Sequence, residues 1–428
     1  MLHRLDLRGA GASLVASLPR PEAAKEPPLG AVQAILAEVK ARGDAAVREL
    51  TERFDGVRVE ELRVSSGELE AALAALPAGL RQALEAAREA IESFHREQVR
   101  PGIRHDRDGV VVRELRQPVD RAGLYVPGGR ARYPSTVLMT AVPARVAGVP
   151  ELVLCTPPGE DGRIPAVTLA AAALAGVDEV YRIGGAQAVG ALAYGTETIR
   201  PVDVIVGPGS LYVSVAQREV AGLVGVPSSF AGPSEVVVVA DDSAPVGYAA
   251  IDVVVQAEHG PDGLAWLVTW SEPTADAVTD EVARLVAESP RRAEIEATLS
   301  DGGYAVLVDG PREAMAVANA IAPEHLELMT ADPESLLPLV RNAGAVFIGP
   351  FAPASVGDYL AGPSHVLPTY GSARFASALR VDDFLKEIHV ISLDQTALAK
   401  VAPHVAAIAE AEGLAAHAAS VKLRTEGR

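Results

Sequence analysis

The chain has 428 residues, with 38 Lys and Arg against 56 Asp and Glu, a formal net charge of −18. That length is two to three times a typical domain of ~150 residues, so at least two hydrophobic cores are expected. The hydrophobic fraction of 49% and the dispersed Gly and Pro read as a soluble globular chain, and the acidic balance excludes the clustered positive charge of a nucleic-acid or anionic-membrane surface.

Residues 1–25 are mixed in character and contain Pro, and read as a short leader packed on the body. Apolar residues at helical spacing predict helix over 28–52, with Gly43-Asp44 as a possible break. Ser65 followed by Glu68 is a capping box that opens another helix, and an Ala/Glu/Arg-rich helix follows at about 79–98. From about residue 110 short β-rich runs end in Gly/Pro turns: 122–129, 151–159, 179–187, 202–210 and 235–242. Helical segments at 164–175, 186–194 and 211–221 lie between them, so βαβ units and a mostly parallel sheet are expected. The all-apolar run at 236–240 suits a strand covered on both faces. A second α/β portion has helices near 247–258, 273–289, 311–322 and 334–342, and strands near 265–269, 304–308, 326–329 and 345–348. The last stretch reads as helices plus a tail strand at 421–424.

Cys155 is the only cysteine, so no intrachain disulfide is possible, and its place in the apolar run LVLC makes it a core residue rather than a nucleophile. No uncharged apolar run reaches the ~20 residues that span a bilayer. The opening Met1-Leu2-His3-Arg4 lacks the features of a signal peptide. A cytoplasmic location is expected. No dinucleotide fingerprint is present; Gly184-Gly185-Ala186-Gln187-Ala188-Val189-Gly190 lacks its spacing. Gly-rich turns at the carboxyl ends of parallel strands either receive a ligand or only tighten the βα connections.

Of nine histidines, His3, His95 and His105 fall in helix-surface or loop contexts, His404 lies mid-helix as a packed or surface residue, and His389 lies on a β-rich run. The others sit in polar settings. Gln256 and His259 are three apart at the end of an apolar helix, where they either bind a metal or shuttle protons, or simply precede a Gly-Pro stop. Glu324-His325 is either a general-base pair or a surface turn. Asp358 and His365 lie in a long Gly/Pro loop, 349–371, whose length and polar content favour function. Glu412 and His417, five apart, suit a turn that presents both to another surface better than one helix face.

Taken together, GLYVPGG (123–129), STVLMTAVPA (135–144), GGAQAVGALAYGTE (184–197), VGPG (206–209), AGPSEV (231–236), QAEHGPD (256–262), PEHLE (323–327), GDYLAGPSHVLPTYG (357–371) and AEGLAAH (411–417) make the chain resemble the histidinol dehydrogenase family from about residue 28 to the end. The resemblance implies an α/β fold of two incomplete Rossmann-like domains with mostly parallel sheets. It divides the chain into a leader (1–24), a discontinuous domain (25–120 plus 237–378), an inserted NAD-contacting domain (121–236) and a dimer-crossing C-terminal tail (379–428). It implies oxidation of L-histidinol through bound L-histidinal to L-histidine with two NAD, in a homodimer holding one zinc ion per subunit. Gln256, His259, Asp358 and His417 correspond to the zinc ligands, with His417 coming from the other protomer. Glu324 and His325 correspond to the acid–base pair, and Ser234, Gln256, His259, His325, Asp358, His365, Glu412 and His417 to substrate-binding positions. Tyr125, Gln187 and Ser210 correspond to NAD-contacting positions.

Four departures from the family pattern bear on the cofactor or hinge loops: Ser210 replaces an Asn, Gln217 a Lys, Pro227-Ser228-Ser229-Phe230 a different loop, and Ala354 a Glu. Two other readings compete. One is a related zinc- and NAD-dependent dehydrogenase of another small primary alcohol, such as a sulfonated diol; the other is a non-catalytic paralogue. Glu412 and His365 favour an amine- and imidazole-bearing substrate, and the intact Glu324 and His325 favour turnover.

Overall fold

The computed structural model describes residues 2–19, 27–129, 132–227, 234–258 and 263–425; His259 and Ser228 to Phe230 therefore lie outside the described residues. The leader contributes a strand, β1 (His3–Asp6). Helical periodicity then gives α1 (Leu29–Arg42) and α2 (Asp44–Asp55), and the break falls at Gly43, whose φ of 54° suits a residue without Cβ. The expected capping box opens α3 (Ser66–Ala74): the Glu68 amide donates to Ser65 Oγ, and the Ser65 amide donates back to Glu68 Oε2. The amphipathic helix α4 (Ala78–Arg96) follows. His95 near its end is fully buried, not on the helix surface, with Nδ1 2.8 Å from the Ile91 carbonyl.

A β-hairpin, β2 (Arg104–Arg107) and β3 (Val110–Pro118), leads into a regular alternation. This runs β4 (Arg121–Tyr125), α5 (Pro134–Ala147), β5 (Glu151–Thr156), α6 (Ala166–Leu174), β6 (Glu179–Arg182), α7 (Gly185–Tyr194), β7 (Val204–Val206) and α8 (Leu211–Val220). The second alternation comprises β8 (Glu235–Ala240), α9 (Val246–Ala257), β9 (Leu264–Thr269), α10 (Glu272–Glu288), α11 (Arg292–Gly302), β10 (Gly303–Leu307), α12 (Pro311–Ile321), β11 (His325–Met329), β12 (Ala345–Ile348) and α13 (Ala354–Tyr359). The chain ends in β13 (Leu385–Ser392), α14 (Gln395–Ala411) and α15 (Ala415–Thr425).

Among the described residues three sheets form. A parallel four-stranded sheet has the order β6-β5-β4-β7, and a parallel six-stranded sheet the order β1-β10-β9-β8-β11-β12. An antiparallel three-stranded sheet has the order β13-β3-β2. Every residue of β8 is buried, as the apolar run Val236 to Ala240 requires, and Glu235 at its start is buried with them. The expected helix at 334–342 is a short 3-10 segment, Glu334–Leu339, with Pro338 inside it. The expected tail strand at 421–424 belongs instead to α15, because Ala418 and Val421 find their apolar partners on α14 at Ala406 and Ala409. No described helix is long and apolar enough to cross a membrane.

The cores group the segments differently from the division drawn on sequence. Val32, Val39 and Val47 of α1 and α2 share a core with Val189, Ile205 and Val213 of the four-stranded unit, and Leu84 and Ile91 of α4 share one with Leu138 of α5. Residues 29–96 thus pack on the four-stranded sheet, and β1 joins the six-stranded one. A helix's apolar face predicts that it packs, not on which sheet.

At the amino edge of the four-stranded sheet the Arg121 side chain, 6% exposed, ties three strands together by donating to Glu151 at 2.6 Å and Glu179 at 2.5 Å. Removing the shared cation leaves the half-buried Glu179 with only the Tyr181 hydroxyl and the more distant Arg63, so Arg121→Ala is expected to lower unfolding free energy by about 2 kcal/mol. Denaturant unfolding of both proteins checks this, and equal midpoints would refute it.

Candidate active site

α12 ends at Ala322 in the left-handed region (φ 54°, ψ 60°), and Pro323 prevents its continuation. The chain thereby delivers Glu324 and His325 to the amino end of β11, where they are 8% and 4% exposed. They are part of the interior, not a surface turn. Side chains alternate along β11: Leu326 and Leu328 join the core beneath α12, while Met329 joins that beneath α9, so His325 and Glu327 face α9 as well.

Gln256, in the last turn of α9, brings Oε1 to 3.3 Å from His325 Nδ1. Asp358, on α13, brings Oδ1 to 3.7 Å from His325 Nε2. α13 sits close on β12 because residue 357 is glycine: a Cβ there would stand 2.6 Å from the Phe347 ring, which itself lies 5.8 Å from the His325 ring between centroids. His365 Nδ1 is 3.0 Å from the Asp358 carbonyl, and its Nε2 is 3.1 Å from Thr136 Oγ1. A carbonyl only accepts, so Nδ1 carries a proton, and Nε2 is paired with the Thr136 hydroxyl. Ser234, half-buried, immediately precedes Glu235, whose amide donates to Glu324 Oε2 at 3.2 Å. Gln256, Glu324, His325, Asp358 and His365 are thus joined by direct or one-residue links.

The electrostatics follow from burial. Desolvation alone pushes the His325 imidazole toward its neutral form, but the carboxylates of Glu324 and Asp358 outweigh it and raise its pKa. Glu235 is pushed up to about 8 by burial and by the charge of Glu324, against the opposing pull of the Gly371 and Tyr370 amides. A cavity of about 540 Å³ reaches Asp358 and is lined also by Leu84, Ile91, Tyr133, Met139 and Tyr359.

The three expected cofactor residues share one edge. Tyr125 ends β4, Gln187 lies in the first turn of α7 after β6, and Ser210 precedes α8 after β7, all at the carboxyl ends of the four-stranded sheet. The Gly185 amide donates to the Tyr125 hydroxyl at 3.1 Å. Gln187 is buried, and its Nε2 has no hydrogen-bond partner among the described residues. Ser210 is exposed and caps α8 with no side-chain hydrogen bond. Gln217, where the family pattern has Lys, is buried and donates from Nε2 to the Gly207 carbonyl at 3.1 Å, so a neutral donor braces the turn. Cys155 is fully buried and its thiol pKa is raised by burial, as a core residue requires.

Glu412 closes α14 and His417 lies in the first turns of α15, both exposed. No hydrogen bond or ion pair among the described residues links either side chain to the rest of the candidate set. Nor do the described residues contain three His, Cys, Asp or Glu side chains grouped to hold a metal. The residues missed on sequence are those seen only through the fold: Thr136, Glu235, Asp252 and Glu327, and Asp55, whose buried carboxyl is pushed up to about 6 and adds its charge beside Tyr125. Thr136, Glu235 and Glu327 lie inside the quoted motif strings; Asp252 and Asp55 gave no signal beyond a charge within or ending a helix.

The histidinol dehydrogenase family profile matches residues 18–425. Histidinol dehydrogenase of Synechococcus sp. is 50% identical over 398 residues, covering 92% of each chain. That of Moorella thermoacetica is 49% identical over 406 residues, covering 94% of this chain and 96% of the relative. The crystal structure of histidinol dehydrogenase from Elizabethkingia anophelis superposes with a TM-score of 0.95 at 34% identity, over 99% of this chain and 98% of that one.

The raised Glu235 pKa sets the sign of a pH dependence. The folded chain holds this proton up to about pH 8, while the unfolded chain releases it near the ordinary 4.5. Stability is therefore lost as pH rises across that window, at about 1 kcal/mol per unit. Glu235→Gln is expected to flatten this fall. Thermal midpoints from pH 5 to 8 check it, and parallel curves for the two proteins would refute it.

Proposed function

The chain belongs to the histidinol dehydrogenase family, and we propose that it oxidises L-histidinol, through bound L-histidinal, to L-histidine with two NAD, as a homodimer with one zinc ion per subunit. The observation that carries this reading is the convergence of Gln256 and Asp358 on opposite nitrogens of the buried His325 beside Glu324.

The donor chemistry fits zinc. Gln256 and Asp358 offer oxygen donors on the two sides of the His325 ring, and among the described residues Gln256 Nε2 is buried without a hydrogen-bond partner, so that side chain is held only through Oε1, 3.3 Å from His325 Nδ1. In this reading Gln256, His259, Asp358 and His417 of the partner subunit hold zinc, which supplies positive charge and fixed orientation for the substrate's amine and imidazole. Tyr125, Gln187 and Ser210 hold NAD, which accepts the hydrides.

The chain's own residues then move the protons. His325 takes the hydroxyl proton of histidinol as the carbinol carbon gives up its first hydride, which leaves the aldehyde. Glu324 takes a proton from the water that adds to this aldehyde. His325 serves again as base for the hydrate as the second hydride leaves, and the product is the carboxylate of histidine. Ser234, His365 and Glu412 orient the substrate, with Glu412 on its amine or ring. Cys155 takes no part, since its buried thiol cannot reach a substrate. The homodimer draws support from the exposed apolar residues of the C-terminal part: Ile391, Ile408 and Leu423 are 64%, 62% and 68% exposed.

Purified protein given L-histidinol and NAD is expected to yield two NADH per histidinol, with loss on chelation and recovery on adding zinc. No NADH from histidinol, or NADH only from another alcohol, would overturn the proposal. His325→Asn is expected to lower kcat by about 10²–10⁴-fold, the usual worth of a positioned base. Co-expressed His325→Asn and His417→Ala chains test the shared site. Half of the dimers are mixed and each has one competent site, so about a quarter of wild-type activity returns if His417 acts across the interface. Absence of recovery would place His417 in its own subunit's site, and full activity of the His417→Ala dimer alone would place it outside the site.

A further inference from the structure

Beneath the acid–base pair lies a second layer of buried charge that the oxidation does not use. Asp252 on α9 and Glu327 on β11 meet inside the protein, at 9% and 2% exposed. Glu327 Oε1 also accepts from the amide of Ala354, the first residue of α13, at 3.1 Å. The positions are telling. Asp252 stands one helical turn before Gln256, Ala354 one turn before Asp358, and Glu327 two residues after His325. Four helical residues advance ~6 Å and two strand residues ~6.6 Å. The Gln256–His325 contact is therefore repeated one layer down by Asp252–Glu327, and the Asp358–His325 contact by Ala354–Glu327.

We propose that the Asp252–Glu327 pair is a positioning device: it locks α9, β11 and α13 at the spacing that presents Gln256 and Asp358 together beside His325. The inference rests on the reading of Gln256 and Asp358 as metal ligands. Two carboxyl groups in contact within the interior share a proton, since like charges there repel strongly. Burial comes first and the charge of Asp252 second in raising Glu327, and burial raises Asp252 as well, so one proton is held between the two carboxyls. Among the described residues no amide or hydroxyl reaches Glu327 Oε2, which leaves the carboxyl proton as the group that joins the two side chains. The pair thus acts as one neutral-plus-anionic unit that grips three elements at once.

The test is zinc affinity by chelator competition on the full-length dimer, alongside steady-state kinetics. Glu327→Ala and Asp252→Ala are expected to weaken zinc binding by about 10–100-fold, the usual effect of losing a group that orients metal ligands. Saturating zinc should restore kcat to within about threefold, because Glu324 and His325 remain in place. Glu327→Gln keeps an acceptor for Ala354 and a donor for Asp252, and should retain wild-type affinity within about threefold. Glu327→Asp guards against misfolding of the alanine variants. It keeps a carboxyl group and most of the volume but is too short to reach both partners, and should fold with zinc affinity lowered about tenfold. Wild-type zinc affinity in Glu327→Asp and Asp252→Ala would overturn the inference while the proposed function stands. A Glu327→Gln protein as impaired as Glu327→Ala would overturn it too. A wild-type protein that takes up no zinc would overturn both.

Discussion

The site depends on how one helix lies against one strand. α9 runs antiparallel to β11, and apolar contacts from Ala249, Val253 and Ala257 to Val236, Val238 and Met329 fix its rotation and register. Once that apolar register is set, the near match of helical and strand repeats stacks two polar contacts with no further adjustment. A slip of one residue in β11 would turn His325 and Glu327 toward the apolar core beneath α12. Hydrophobic packing therefore decides which face of the strand carries the chemistry, and polar contacts refine the distances within it.

The same logic explains where the two halves meet. In an open parallel sheet, ligands gather at the carboxyl ends of the strands, and the expected cofactor residues of the four-stranded sheet obey this. Glu324 and His325 do not; they stand at the amino end of β11. α5 reconciles the two arrangements. It follows β4 at the cofactor edge and carries Thr136 to His365, which in turn touches Asp358. The carboxyl edge of one sheet thus abuts the amino edge of the other. In the proposed reading, a hydride acceptor bound at the first edge and a base fixed at the second would approach one substrate from opposite sides. The departures from the family pattern at the cofactor edge fit this frame unevenly. Gln217 still braces its turn, whereas Ser210 is exposed and makes no capping bond.

What the sequence made legible was local. The break at Gly43, the capping box at Ser65 and Glu68, the doubly covered β8 and the alternation of strands and helices all follow from nearest-neighbour chemistry, and all are present. What it left hidden was partnership. His95 reads as a helix-surface residue until α4 is seen to bury that face. The segment at 421–424 reads as β because Val and Leu alternate with Lys and Arg, yet no edge is there to pair with it and α14 offers an apolar stripe. Glu324 and His325 as adjacent polar residues cannot reveal that both are interior. Asp252 is the extreme case: one acid in an apolar helix looks like an interruption until Glu327 is found opposite it. The resemblance to a family supplied residue roles that spacing alone left open, since Gln256, Asp358 and His365 are brought together only by folding.

The sign of the charge around His325 bears on which alcohol the site accepts. Burial holds Glu235 and Glu327 toward their neutral forms, so the carboxylates that act directly on the imidazole are Glu324 and Asp358. In the proposed reading a divalent ion beside them balances that pair, and Glu412, brought in by the tail of a second subunit, returns one negative charge. A protonated amine complements this arrangement. A sulfonate would bring a second anion to within roughly 5 Å of the Glu412 carboxylate, and at an effective dielectric near 20 that costs about 3 kcal/mol, or more than 100-fold in binding. Against a cationic substrate the same term changes sign. With Glu412 so placed, a single carboxylate at the mouth of the site would be enough to separate an amino alcohol from a sulfonated diol, even where the acid–base machinery would serve either equally well.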